Sequence, residues 1–435
     1  AACLTIGQAG ESGSLMANVC NDGRFFGRGG LGSLFGAKKL KALSIYGEGE
    51  IAAADPQGFE FIVEECKKLM AAHPITSKGL PQFGTAVLMN VMNSVSALPT
   101  RNYREGNFDG AELISGEEVR DRLLSGRHGC PGCAIACGRK VTVGGEEMEG
   151  PEFETLWSFG AALGLSDLEG IVRVNRLAND LGLDTISTGS TLAAGRELFE
   201  AGLLDFDPLE GGLGGVLALL LQIARREGRG ALFSDGSLAL GSTFGAKWVS
   251  MSVKGMEIPA YDPRGCQGQG LAYATSPRGG CHLRAYMIAP EILATPKLVD
   301  RFAVQGKAGL VIVSQNLNAA VDSLGMCRFT TFALKDDYFA RLLRFAAGVE
   351  ADGQSLMTVG ERICNLERLI NLDRGFTRTE DTLPARLLSE THPGGASAGR
   401  VVELSPMLDE YYRFRGWDHE GRPLDSKLQS LGLKG

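Results

Sequence analysis

Residues 166–182 read SDLEGIVRVNRLANDLG, and their spacing predicts a helix. Leu168, Ile171, Val174, Leu177 and Leu181 recur every three or four residues and fall on one face. Ser166 with Glu169 has the spacing of a capping box, and Gly182 supplies the stop. The same texture extends outward. Downstream, TLAAGRELFEAGLL (191–204) and VLALLLQIARRE (216–227) are helical, and the pattern returns over 295–350 and 356–373. Upstream, GFEFIVEECKKLMAAH (58–73) is helical, and Ser115 with Glu118 caps a helix through VRDRLL that runs out at SGRHGCPGC. Between 230 and 280 the text is Gly-rich, and YDPRGCQGQGLAYATSPRGGCH (261–282) is too dense in Gly and Pro for a regular element. The tail from Leu408 is polar and mixed. At the start, GRGGLGSLFGAKK (27–39) reads as a flexible turn and KALSIYGEGEI (41–51) as a strand. The fold class is mainly α: two helical domains joined near 250, behind a small β-containing N-terminal stretch.

Composition narrows the function. At 435 residues, 44% hydrophobic and 22% charged, the chain is globular, of two to three domains at roughly 100–200 residues each. The net charge of −7 disfavours nucleic acid, which wants a basic face. The longest apolar run, from Val216, falls far short of the roughly 20 residues that span a bilayer. The first twenty residues lack the basic region of a signal peptide. Ten cysteines scattered without an export signal read as reduced thiols or metal ligands in a cytoplasm. An opening Ala followed at once by a strand-like run suggests a chain that begins within a larger protein.

Four features carry chemistry. Cys130, Cys133 and Cys137, at x2 and x3 spacing on a Gly/Pro-bent loop, suit three corners of a [4Fe–4S] cube, with a fourth sulfur from elsewhere. A zinc site with His128, or three buried thiols, is the alternative. The turns Asn179–Asp184 and Asp322–Cys327 each follow a helix and end in a polar residue, fit to accept hydrogen bonds from a heterocycle or simply to cap a helix. His282 lies in a Gly-rich loop between Arg278 and Arg284, placed for proton transfer or as a structural histidine. Glu152 and Glu154 follow the cysteine loop as a candidate base or as acids of a helix start. The Gly27–Gly32 run matches neither a Walker nor a Rossmann fingerprint, although Arg28 within it could bind phosphate.

Together GRGGLGSLFGAKKLKAL, LPTRNY, CPGCAIACGRKV, GPEFETLWSFGAALG, LGLDTISTG, SPRGGCHLRAYM, DSLGMCRF, GERICNLERLINLDRGFTR and LDEYYRFRGWD resemble, in order, the tungsten-containing aldehyde ferredoxin oxidoreductases. The resemblance implies the end of that family's first domain at 1–50, a helical domain with the cysteine loop at 51–250, and a second helical domain with the fourth cluster cysteine at 251–435. By it, Cys130, Cys133, Cys137 and Cys327 ligate a [4Fe–4S] cluster. Asn179, Asp184, Asp322 and Cys327 lie in the turns that touch a tungsten (or molybdenum) bis-pterin, and Arg28 sits near its phosphate or pterin edge. Glu154 and His282 flank the metal. The implied reaction oxidises an aldehyde to a carboxylic acid with water as oxygen source, passing electrons through the cluster to ferredoxin. Glu154 would take the proton as water attacks, and His282 would hydrogen-bond the carbonyl oxygen.

Two departures from the family pattern stand out: Asn179 where Asp is expected, and Met326 for a usual Leu. Most of the family's first domain is missing, so a homodimer or a separate chain would be expected to complete the site. The rival reading is a non-catalytic iron–sulfur electron-transfer subunit that has lost the tungsten cofactor. Such a carrier needs only the four cysteines, whereas this chain also keeps the acidic turns, Glu154 and His282.

Overall fold

A computed structural model describes residues 2–49 and 51–434. It is mainly helical with few strands. At the N-terminus β1 (Ala2–Thr5), β2 (Val19–Asn21), β3 (Arg24–Phe26) and β4 (Ala42–Ile45) form one antiparallel sheet in the order β3-β2-β1-β4. β4 is the core of the strand expected over 41–51, of which residue 50 lies outside the described residues. The segment expected to be a flexible turn contains a helix, Leu31–Ala37, entered through left-handed Gly29 and Gly30. A Cβ on Gly36 would sit 1.8 Å from the carbonyl oxygen of Gly10. Gly30 and Gly36 therefore serve close packing rather than flexibility, while Gly29 supplies a left-handed turn.

The helix at 168–181 forms as expected, with Gly182 left-handed at its end. Its cap is Asp167, which accepts from the Gly170 N–H, in place of Ser166. Ser115 does cap its helix, but after Glu118 the chain widens into a π turn (Val119–Leu123) and then forms a sheet. β5 (Leu124–His128), β6 (Gly138–Val143) and β7 (Glu146–Glu149) pair antiparallel, which the helical reading of this region missed. The nine-residue connection of β5 to β6 is the cysteine loop.

The Gly-rich 261–282 stretch also differs from expectation, because it contains the buried helix Gln267–Thr275. Helix propensity is poor there, and tertiary contacts decide. The carboxylate of Glu291 accepts the N–H groups of Gly268 and Gln269 at the helix start and is itself paired with buried Lys307. The tail is likewise more ordered than its polarity suggests. Its helix Leu404–Arg415 buries Tyr411, Tyr412 and Arg415.

The main hydrophobic core contains residues from both sides of position 250, from Ala9 to Trp417. A second cluster joins Ile62 and Cys66 to Phe339, Ala340 and Leu356. Buried polar ties cross the chain as well: Glu197 accepts from Asn102 and pairs with Arg386.

Glu291→Ala should cost roughly 3–5 kcal/mol, because it strands a buried ammonium and frees two helix N–H groups. Denaturant unfolding measures the loss, and adding Lys307→Met should recover part of it.

Candidate active site

The cysteine loop is shaped by two backbone reversals, left-handed Gly132 and Ala136, and by the Cys133 N–H bonded to the Cys130 carbonyl at 3.0 Å. The Cys133 sulfur accepts from the N–H groups of Ile135 and Ala136 at 3.3 and 3.4 Å. Cys327 arrives from the other side, at the mouth of the 3-10 turn Arg328–Phe332. The four thiols lie within electrostatic reach of one another. Burial, with Glu152 and thiols 327 and 133 nearby, pushes Cys137 up to about 12. Burial raises Cys327 too, and Cys133 and Cys130 add to the effect. Among the described residues no three His, Cys, Asp or Glu side chains converge on a single ion. His128 is engaged elsewhere, its Nε2 2.8 Å from Glu149.

Glu152 and Glu154 stand at the start of the helix Phe153–Phe159. Glu154 turns inward. Its Oε2 accepts the Ala260 N–H at 3.0 Å, while its Oε1 is buried without a partner. Burial raises its carboxyl to about 7. His282 Nε2 lies 3.8 Å from Glu154 Oε1, beyond hydrogen-bond range, and its Nδ1 is also buried and unpartnered. Burial, then the charges of Arg28, Arg278 and Arg328, hold His282 well below the usual histidine range, hence neutral. Tyr261 and Tyr286 pack against the imidazole at centroid distances of 5.6 and 6.2 Å.

Both groups line a cavity of about 780 Å³ whose other walls are largely apolar, including Leu80, Val87, Leu293 and Phe332. This size is ample for a small organic molecule. Arg28, Asn179, Asp184 and Asp322 lie outside its lining.

Arg28 and Asp184 are brought together. The guanidinium donates to Asp184 Oδ2 at 3.0 Å, to the carbonyls of Glu257 and Gly280 at 2.7 Å each, and to Ser187. Asp184 also caps the helix Thr185–Glu200 through the Ile186 N–H. Asn179 is partly buried against Asn175, and Asp322 lies 3.6 Å from Arg284. Sequence reasoning passed over Arg24. It sits on β3 within reach of Cys130, Cys137 and Glu152, and no local motif surrounds it that could have signalled a role. Guanidinium nitrogens of Arg24, Arg284 and Arg328 are buried with no protein partner.

Fold and site combine a mainly helical chain, a cysteine loop held between two strands and a buried carboxylate–imidazole pair at an apolar cavity. Residues 1–47 match the family model described as the N-terminal domain of aldehyde ferredoxin oxidoreductase, and residues 61–433 match its domains 2 and 3. The chain belongs to the aldehyde ferredoxin oxidoreductase family. It is 43% identical to the tungsten-containing aldehyde ferredoxin oxidoreductase of Pyrococcus furiosus and 42% identical to that of Thermococcus kodakarensis. Each alignment covers 99% of this chain and 73% of the relative. An aliphatic sulfonate oxidoreductase, WOR-like subunit, of Pyrococcus furiosus is 26% identical over 99% of this chain and 70% of its own length. Among solved structures, the active-site complex BamBC of benzoyl coenzyme A reductase shares the fold. It has a TM-score of 0.79 at 20% identity, over 99% of this chain and 73% of that one.

A carboxyl raised by burial holds its proton in the folded protein and loses it in the unfolded chain. Glu154 therefore subtracts stability as pH rises from its unfolded value toward about 7. Glu154→Gln should raise the melting temperature relative to wild type at pH 8 and much less at pH 4.5. Equal shifts at both values would contradict a buried, proton-holding carboxyl.

Proposed function

We propose that this protein oxidises an aldehyde to the carboxylic acid at a tungsten bis-pterin cofactor, with water as the oxygen source. A [4Fe–4S] cluster, which Cys130, Cys133, Cys137 and Cys327 would hold, would supply the one-electron route to a ferredoxin-like carrier. The observation that carries the reading is the buried pair of Glu154 and His282 at the apolar cavity, each with an atom that the protein leaves unpartnered. The names of the relatives support tungsten and an aldehyde substrate.

The donor set fits the two cofactors. Four thiols, with the neighbouring His128 already engaged by Glu149, suit a cubane cluster. Unpartnered N–H groups on Arg24, Arg284 and Arg328, together with the unpartnered Asn18 Oδ1, suit a large anionic group rich in acceptors and donors such as a pterin pyrophosphate. Cys130, Cys133, Cys137 and Cys327 would hold the cluster. Asp184, Asn179, Asp322 and the guanidiniums, Arg28 included, would border the pterins. When bound, the tungsten cofactor supplies the two-electron redox step, for which no side chain here is equipped.

The protein's own residues bind, orient and move protons. The apolar walls exclude bulk water and seat the aldehyde's carbon chain. Neutral His282 carries one N–H, which donates to the carbonyl oxygen and makes the carbon more electrophilic. Glu154, poised near neutrality, takes a proton from the attacking water. Overall the aldehyde and one water yield the acid, two electrons and two protons. A base of this kind works only when ionised, so kcat/KM should rise with pH through about 7.

Metal analysis of anaerobically purified protein tests the reading. About four irons, as one Cys-ligated cubane requires, and about one tungsten per chain are expected. Iron without tungsten or molybdenum would favour the electron-transfer subunit, and zinc in place of iron would overturn the cluster. Glu154→Gln should abolish aldehyde oxidation with iron and tungsten unchanged, whereas loss of metal would make the residue structural.

A further inference from the structure

His282 poses a mechanical question. Its ring makes no hydrogen bond, since Nδ1 is unpartnered and Nε2 stands 3.8 Å from Glu154. Tyr261 and Tyr286 pack against it without bonding it. A side chain held by so little must inherit its aim from the backbone.

That backbone is bolted down by the residue before it. Cys281 is fully buried, and its sulfur accepts the Leu283 N–H at 3.3 Å, closing a tight turn with His282 at its apex. The same sulfur accepts two N–H groups of Arg278, from Nη2 at 2.8 Å and Nε at 3.1 Å. Three donors thus converge on one polarizable atom, and the guanidinium ties the turn back to its own first residue. Between these anchors, Gly279 and Gly280 lie against the carbonyls of Val253, Met256 and Glu257, where a Cβ would come within 2.4–2.9 Å of them or their neighbours. The Gly280 carbonyl is held by Arg28. The 278–283 loop is therefore a rigid bracket that presents the imidazole of His282 to the cavity, with Leu283 beside it.

We propose that Cys281 is a positioning residue: its sulfur, gripped by Arg278 and the Leu283 N–H, fixes the turn that aims His282 at Glu154. This rests on the reading of Glu154 and His282 as the catalytic pair. The sulfur acts as an acceptor with no redox step, and a serine oxygen can imitate it at shorter reach. Alanine cannot.

The test compares Cys281→Ala, Cys281→Ser and Arg278→Lys in protein purified with its metals, with melting temperature and metal content checked first. Histidine ring resonances of 15N-histidine-labelled protein supply a readout independent of turnover, with the His282 signal assigned by His282→Asn. Cys281→Ala should move or split the His282 resonance alone among the five histidines. It should lower kcat by about 10–100-fold, the scale of a displaced supporting contact, with KM changed by less than about threefold. Cys281→Ser should restore most of both signals. If Cys281→Ala loses metal or fold, Arg278→Lys decides, since it keeps the sulfur and the charge but loses the paired donors. An unmoved His282 resonance with unchanged kcat overturns the proposal. A wild type inactive on every aldehyde, whose His282 resonance nonetheless moves in Cys281→Ala, overturns the functional reading and leaves the positioning role standing.

Discussion

One buried guanidinium holds the site together. Arg28 follows the small N-terminal sheet and donates to a helix-capping carboxylate, a serine hydroxyl and two carbonyls, drawn from three segments between Asp184 and Gly280. A planar fork can satisfy several acceptors at once in fixed geometry, which a flexible ammonium cannot. Its partners are the start of the helix Thr185–Glu200, the short strand Met256–Glu257 and the loop that carries His282. Moving any of them would leave a charged donor buried and unpaired, so their mutual placement is stiff. The N-terminal segment reinforces the same joint. Asn18 donates its N–H to the Gly182 carbonyl, and Asp184 donates its N–H to that of Met16. The sheet is thus part of the site's frame and not an appendage to the helices.

Electrostatics then follow from where that frame buries charge. Arg28, Arg278 and Arg328 surround an imidazole that burial already keeps neutral. Glu154 is governed by its own burial, which outweighs the Ala260 N–H and the charge of Arg28 that pull it down, while Asp184 adds a smaller upward push. Arg28 alone among those cations lowers it appreciably, and Arg28 is largely spent on Asp184. A carboxyl near neutrality and an uncharged histidine therefore coexist less than 4 Å apart without forming an ion pair. Each retains an open valence toward the cavity, which is what two groups sharing acid–base work require.

How far this was legible in the sequence depends on the range of the interactions that decide it. The helix at 168–181 was readable because its apolar face and Gly182 stop are local signals, and only the cap slipped by one residue, to Asp167. The thiol spacing of the 130–137 loop was readable for the same reason. The strands on either side of it were not, although Val141 and Val143 alternate with exposed Lys140 and Thr142, because each is short and the helix read through VRDRLL runs out only at the loop itself. The helix Gln267–Thr275 was hidden more deeply. Two glycines in its first turn argue against a helix, and what sustains it is the carboxylate of Glu291, twenty-odd residues away. Arg24 and Cys281 have roles set wholly by partners that a local reading does not bring near.

The cysteine loop illustrates why the site needs strands at all in so helical a chain. A helix satisfies its own backbone groups, so its N–H donors are not available to a ligand beyond the first turn. A long connection between two strands leaves N–H groups free, and here two of them already point at the Cys133 sulfur. Short paired strands anchor both ends of that connection in register, with His128 opposite Gly138, while the loop between them carries the three thiols, Cys130 exposed and Cys133 and Cys137 partly buried. Cys327 needs the converse arrangement. It stands just past the end of the helix Lys307–Ser323, where the chain has left regular structure and a single side chain can reach across. The proposed cluster, assembled from a strand-anchored loop and a helix end, would draw its ligands from both sides of position 250. Binding it would therefore tie together the same two halves of the chain that the Arg28 fork already holds in contact.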